Sequence, residues 1–491
     1  MDPRMHQNLP ALLTLLAFTW AYLPCFSQAN YLKESWKKQS EPLETNILNF
    51  EFQESSNQLL HSFSPWQQTN FSTSGEIWIQ AHDFSKIDTL RSNQRVYLSK
   101  TVLSEQEFLL QNYGKEQLES LTKSQLQDQI FLSARYLPHR LLNYFKEHNI
   151  PIERLEEKYA VYSLQINQTT VKLFLDKDTF LLSKIQTLSH DDLFGDVKTT
   201  YTYSDYLQIE DFYLAKQIEI KKINVKLLDQ VEISHAKFTD SIPQLLERPT
   251  DYKLTEEIHI PPSVSTSSFN EHIHLVELGH TDDRALVVEF SDFLLVAEAP
   301  LTSENGELII AEAKKIAPDK PINYFVFGHY HPHYLGGVRP FVQEGAQVIV
   351  SEHNQEYLSY IVHATRTVKP DRLSLDSRPL QLELIQDNLR ISDGEYSMDI
   401  YLIGEKSKHT IDYLVYYFPE EKLLFEDDLI WIPIEGEAKN VSPRQIGLYQ
   451  AIQDLGLEVQ TIIQSWPVSD YGVKTIIPFE ELENSIKNLK Q

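Results

Sequence analysis

The chain has 491 residues, too many for one ordinary domain, and its 42% apolar and 23% charged composition is that of a globular protein. With 70 acidic against 44 basic residues it carries a formal charge of −26, which disfavours nucleic acid and anionic membrane as partners. Its single cysteine, Cys25, lies near the N-terminus, so the remainder has neither disulfides nor thiolates and any metal site must be built from His, Asp and Glu.

Residues 1–29 read as a secretory signal peptide. Arg4 and His6 precede the apolar run "ALLTLLAFTWAYLPCF", and Ser27 and Ala29 stand at the small-residue positions before a cleavage point. The run is shorter than the roughly 20 residues of a membrane span. The expectation is a periplasmic or secreted protein with no stable membrane span after cleavage. Residues 30–70 are Ser-, Asn- and Gln-rich and read as a loosely packed lead-in. "GEIWIQAHDF" (75–84) reads as a strand. Between 102 and 149 apolar residues recur at three-to-four spacing, which predicts helix, with Ser124 as a cap.

From Lys158 the period falls to two. "YAVYSLQI", "TVKLFLDKDTFLLSKIQTLS", "VKTTYTYSDYL", "FYLAKQIEIKK" and "VKLLDQVEISHAKF" alternate apolar and polar residues around turns such as Asp176-Lys177-Asp178. Such a succession predicts an antiparallel meander. The run resembles the curved half-barrel of periplasmic lipoprotein-carrier-like domains. That resemblance implies a sheet able to hold an apolar ligand, and a packing scaffold is the alternative. "LSHDDLFGD", with His190, Asp191 and Asp192, reads as a turn.

A Pro-, Ser- and Thr-rich stretch at 247–272 marks a boundary. It separates a helix plus antiparallel β domain (30–250) from a mixed region (265–491). The mixed region opens with strand-like "HIHLVELG", "RALVVEF" and "FLLVAEA", a helix over "SENGELIIAEAKKIA", and strands "INYFVFG" and "QVIVS" around helical "VRPFVQEG". A second half repeats the theme, with strands "MDIYLIG", "YLVYYF" and "KLLFED", helix "SPRQIGLYQAIQDLG" and strand "QTIIQSW". Two mixed sheets with helices outside predict an α/β (α+β) fold, a four-layer αββα sandwich.

"FVFGHYHPHYLGG" concentrates the chemistry. His329, His331 and His333 stand at alternate positions, and Pro332 is expected to keep the segment extended, so that the imidazoles converge at the carboxyl end of a strand. Neutral imidazoles suit a catalytic zinc, which takes three protein ligands and acidifies a bound water. Gly336 and Gly337 are expected to let the next helix start close to that metal. His272, His274 and His280 read as incidental, and Asp427 reads as a solvated neighbour of Asp428.

The stretch from "VELGHTDDRALVVEF" to "QVIVSEHN", with "KHTIDYLVYYFPEEKLLFEDDLI" after it, resembles the metallo-β-lactamase superfamily over about 265–480. The family's first motif is H-x-H-x-D-H before a glycine pair. His329 and His331 match its first two histidines, His333 stands at the Asp and Tyr334 at the last His. His409 matches the later histidine, Asp428 the bridging Asp, and Trp466 stands where the final histidine is expected. Glu298 falls near an early family Asp.

The resemblance implies one zinc per chain held by His329, His331 and His409 with Asp428. A second is unsupported, because two adjacent cations need anionic ligands that His333, Tyr334 and Trp466 do not supply. His333 and Asp428 are the candidate bases, and Tyr334 is a candidate oxyanion partner. Three functions compete: a mononuclear zinc hydrolase acting on a small-molecule ester, thioester or amide; a degenerate, non-catalytic binding protein; and a purely structural metal site.

Overall fold

The computed structural model describes residues 30–488, apart from 93–94, 113–117, 119–120, 123–124, 127–128, 132, 257–259 and 437–440. The signal-peptide reading and the Ser124 cap lie outside the described residues. No helix among the described residues is long and apolar enough to cross a membrane.

The amino-terminal part is built on one twelve-stranded sheet. Its seven later strands, Ile152–Leu155 to Leu227–Thr239, form the meander that two-residue alternation predicts. Five earlier strands, Ile47–Leu59 to Phe108–Gln111, continue it, because Ile47–Leu59 pairs antiparallel with Leu227–Thr239 on one side and Gln68–Gln80 on the other. The lead-in reading of 30–70 is thus corrected. Its scattered Leu48, Phe50 and Phe52 alternate with polar residues and are buried, so the segment is a strand rather than loose chain.

The helical reading of 102–149 is corrected too. Arg95–Leu103 and Phe108–Gln111 are strands, and the α-helix of that region that is defined end to end is His139–Glu147. "GEIWIQAHDF" proves to be a strand end, a turn at Ala81 and His82, and the start of the next strand at Asp83. Helices Tyr31–Gln39 and His139–Glu147 pack together on the sheet, and Trp36 Nε1 donates to Asn143 Oδ1 at 2.8 Å. A cavity of about 510 Å³ beside them has a mixed lining that includes Glu105, Arg140, Glu147, Leu126 and Ile166.

From Val264 onward the chain forms two sheets of seven and six strands. The seven-stranded sheet pairs its first four strands antiparallel. It then runs parallel through Leu294–Ala297, Ile322–Val326, Gln347–Ser351 and Gln381–Ile385. In the six-stranded sheet Leu423–Glu426 and Thr461–Gln464 are parallel and the rest antiparallel. Phe290, Met398, Tyr416 and Phe425 fill the space between the sheets. Helices Ser303–Ile316 and Val338–Glu344 cover one outer face, and Pro443–Leu455 and Phe479–Asn488 the other. These four layers are the αββα sandwich expected from the pattern.

Candidate metal centre

The centre forms where parallel strands of both sheets end, the place where open α/β sheets collect ligands. Ile322–Val326 delivers His329 and His331, and Leu423–Glu426 delivers Asp427 and Asp428. Leu414 N donates to Gly328 O at 2.7 Å and ties the two sheets together there. One donor atom each of His329, His331, His409 and Asp428 lies within 4.8 Å of the others. All three imidazoles are buried.

His329 is fixed by a partner the sequence did not reveal. Its Nδ1 donates to Asp427 Oδ2 at 2.6 Å, which leaves the lone pair on Nε2. Asp427 is fully buried, so its reading as a solvated neighbour is corrected. The reason is crowding at Gly328, where a Cβ would lie 2.1 Å from Asp427 Oδ2 and only a glycine admits the carboxylate. Behind Asp427 sits Glu298, which accepts from Gly328 N at 3.0 Å and from Tyr416 Oη at 2.7 Å. Burial pushes the carboxyls of Glu298 and Asp427 upward, and for Asp427 the neighbouring Glu298 adds to the shift.

Asp428 remains ionised. Burial opposes its charge, but His409 and Arg444 outweigh burial and hold the carboxyl below its usual range. Arg444 Nη1 donates to Asp428 Oδ2 at 3.1 Å from the first turn of helix Pro443–Leu455, where a Ser442–Gln445 capping box sets the helix start. Tyr413 Oη accepts the backbone N–H groups of Asp427 and Asp428, and its ring stacks on His329 with centroids 4.8 Å apart.

His329 Nε2 and His331 Nδ1 face each other at 2.9 Å. Burial pushes both imidazoles down, His331 to about 2, so both are neutral at ordinary pH. His331 Nε2 is buried without a hydrogen-bond partner among the described residues, and His409 Nε2 lies 3.1 Å from Asp428 Oδ2. Three imidazoles, one carboxylate and the unsatisfied His331 nitrogen make a donor set that fits a zinc-like cation.

His333 does not join the cluster. Pro332 opens a short helix, Pro332–Leu335, instead of keeping the segment extended, which corrects the alternate-position reading. Proline is tolerated at a first helical position, where its missing N–H has no partner to lose. The helix turns His333 to Asp283, where Nδ1 and Oδ1 are 2.8 Å apart, and this bond raises the imidazole above its usual range. Tyr334 is buried, with its ring 4.4 Å from that of His329. Gly336 and Gly337 pack against the backbone of Leu301 and Thr302, not against the donor cluster. Trp466 is buried, donates from Nε1 to Gln464 Oε1 at 2.7 Å, and packs on Trp431 with centroids 4.6 Å apart.

Sequence reasoning missed Asp283, Arg444 and His61 as neighbours of the site. His61 comes from the amino-terminal sheet and stacks on His331, with centroids 4.3 Å and planes 24° apart. No local motif marks these residues, since each reaches the centre through the tertiary fold.

The sandwich, with its donor cluster at the strand ends, defines a metallo-β-lactamase-type fold in the second half of the chain. No family model matches the chain, and no curated protein matches it. Solved structures do align with it. A metallo-beta-lactamase from Pontibacter korlensis aligns at 14% identity and a TM-score of 0.35, over 47% of this chain and 100% of its own. The metallo-beta-lactamase FIM-1 from Pseudomonas aeruginosa, in its mono-zinc form, aligns at 21% and 0.33, over 46% of this chain and 93% of its own. A flavoprotein from Thermotoga maritima aligns at 13% and 0.33, over 46% and 62%. The fold assignment rests on the layers and strand order above rather than on these likenesses.

Proposed function

We propose that the chain is an exported hydrolase that holds a single zinc ion through His329, His331, His409 and Asp428 and cleaves a small-molecule ester, thioester or amide. One observation carries the reading. Four donor atoms converge within 4.8 Å, His331 keeps a buried nitrogen without a hydrogen-bond partner among the described residues, and a carboxylate stays ionised beside them. A zinc bound there supplies Lewis acidity and a water acidified to near neutral pH. Asp427 fixes the His329 tautomer, and Arg444 offsets the Asp428 charge. His333, with its proton assigned to Nδ1 by Asp283, presents the basic Nε2 that a proton acceptor needs.

A second reading, a binding protein without turnover, draws on Tyr334 and Trp466, which replace two imidazoles by aromatic walls. Elemental analysis of the purified protein, beside His331→Ala, separates the two. The hydrolase reading expects about one zinc per chain, lost in the variant, and turnover on a panel of esters, thioesters and lactams. A wild type that takes up no zinc, even when it is supplied, overturns it.

A further inference from the structure

The cavity of about 510 Å³ in the amino-terminal part shares no residue with the donor cluster. Its volume falls within the roughly 300–1,000 Å³ of pockets that take a whole small ligand. One face of helix His139–Glu147 forms a polar wall. Arg140, Asn143 and Glu147 stand at i, i+3 and i+7, a spacing that keeps them on that face. Leu126, Ile166 and Leu254 supply apolar lining.

The polar wall is only partly satisfied from within the protein. Arg140 is 9% exposed, and its Nη1 donates to His82 O at 2.6 Å. Among the described residues that carbonyl is its one hydrogen-bond partner, and no carboxylate pairs with it. Burial pulls the guanidinium below its usual range, with Glu105 and Asp83 opposing the shift. Asn143 is 7% exposed, and its Oδ1 accepts from Trp36 Nε1 and Ser40 Oγ. Those bonds fix the amide and leave Nδ2 without an acceptor among the described residues. Neither Nδ2 nor the free Nε and Nη2 of Arg140 is sealed off, so a ligand in the cavity can reach them. Glu147 is exposed at the far end of the face, and its carboxylate has no partner among the described residues.

We propose that this cavity binds a short peptide with free termini and apolar side chains. Its carboxylate meets the Arg140 fork, its ammonium meets Glu147, and Asn143 Nδ2 donates to its carbonyl. Its side chains lie against Leu126, Ile166 and Leu254. The spacing suits such a ligand. Arg140 and Glu147 are seven residues apart, roughly 10 Å along the helix axis, and the backbone of a dipeptide spans about 7 Å before hydrogen bonds are added at each end. The charges suit it too, since a zwitterion meets no net repulsion from a chain of charge −26 and an anion does. The site is independent of the metal centre and of the hydrolase reading.

Leucyl-leucine is the probe, titrated calorimetrically into the full chain after chelation. N-acetyl-leucyl-leucine lacks the ammonium, and leucyl-leucinamide lacks the carboxylate. Saturable binding of the zwitterion is expected, with each blocked peptide about tenfold weaker. Glu147→Gln, at an exposed position where folding is not at stake, should bind the free and acetylated peptides equally. Arg140→Gln should bind the free peptide and its amide equally, and if that variant does not fold, Glu147→Gln decides alone. His331→Ala should bind the probe as the wild type does. No saturable binding, equal affinity for all three peptides, or an unchanged preference in Glu147→Gln overturns the proposal. Binding lost in His331→Ala overturns it as well, because the peptide then sits at the donor cluster. Each of these results leaves the zinc and turnover measurements above untouched.

Discussion

Gly328 and Asp427 show how tightly single residues constrain this centre. The glycine exists at that point because a carboxylate occupies the space of its missing side chain. Gly328→Ala is expected to destabilise the fold by about 1–3 kcal/mol through overpacking, and to displace Asp427 from His329. Asp427→Asn keeps the volume but replaces the carboxylate by a neutral amide, whose weaker acceptor and added N–H no longer fix the imidazole tautomer. Zinc affinity, read by competition with a chelator, should fall about 10- to 100-fold while the melting temperature changes little. An unchanged affinity would show that Asp427 does not orient the ligand.

His139 offers a test away from the site. It is fully buried in the amino-terminal part, and burial, followed by the nearby Arg140, pushes its imidazole down to about 3. The unfolded chain binds that proton near pH 6.5 and the folded chain does not. Stability from this group is therefore complete above about pH 6.5 and is lost as pH falls toward 3, by roughly 1.4 kcal/mol per unit. Denaturant titrations of His139→Gln should show a shallower acid loss across that window than the wild type does.

Among the elements, the hairpin tip at 60–67 lies against the donor cluster, with His61 stacked on His331. Its register is set by the long pairing of Ile47–Leu59 with Gln68–Gln80, and its tip is held by contacts across to the sandwich. Tyr330→Phe deletes the bond to Ser62 O and keeps the ring. Hydrogen exchange at residues 60–67 should rise several-fold, with the core strands unaffected. Equal protection in both proteins would mean that the Trp66 ring stacked on Phe194 and the Ile411 N to Phe63 O bond hold the tip without Tyr330. Element types were legible where the period was clean, as in the meander after Lys158. They were misread at 102–149, where three-to-four spacing of apolar residues is also met by short strands and 3₁₀ turns. Pro332 misled for a related reason, since the same ring that ends a helix also starts one.

At the scale of the molecule, the large sheet and the sandwich are joined by polar contacts away from the centre as well. Asp196 accepts from Thr367 N at 2.8 Å and Val368 N at 3.1 Å, and Arg366 Nη2 donates to Asp192 O at 2.6 Å. Burial works against the Asp196 charge, and the Thr367 and Val368 bonds overcome it, so the carboxyl lies below its usual range. Asp196→Ala leaves those two amides without their acceptor. It should lower the melting temperature by a few degrees and broaden or split the calorimetric transition as the two halves uncouple. A single transition at the wild-type temperature would place the coupling elsewhere.

The sequence by itself pointed to the sandwich, through the succession of strand-like and helix-like segments in two mixed halves and the resemblance over about 265–480. Spacing alone brought out His329 and His331, and the resemblance to the metallo-β-lactamase superfamily added His409 and Asp428 to the candidate set. The tertiary structure alone decided what surrounds them. Asp427 is buried because two sheets meet over Gly328, His333 is turned to Asp283 by one helical turn, and His61 arrives from a strand pair some 270 residues away from its stacking partner. These are contacts between elements distant in the chain. No local period or propensity encodes them, because burial and side-chain partners are fixed only when the layers close.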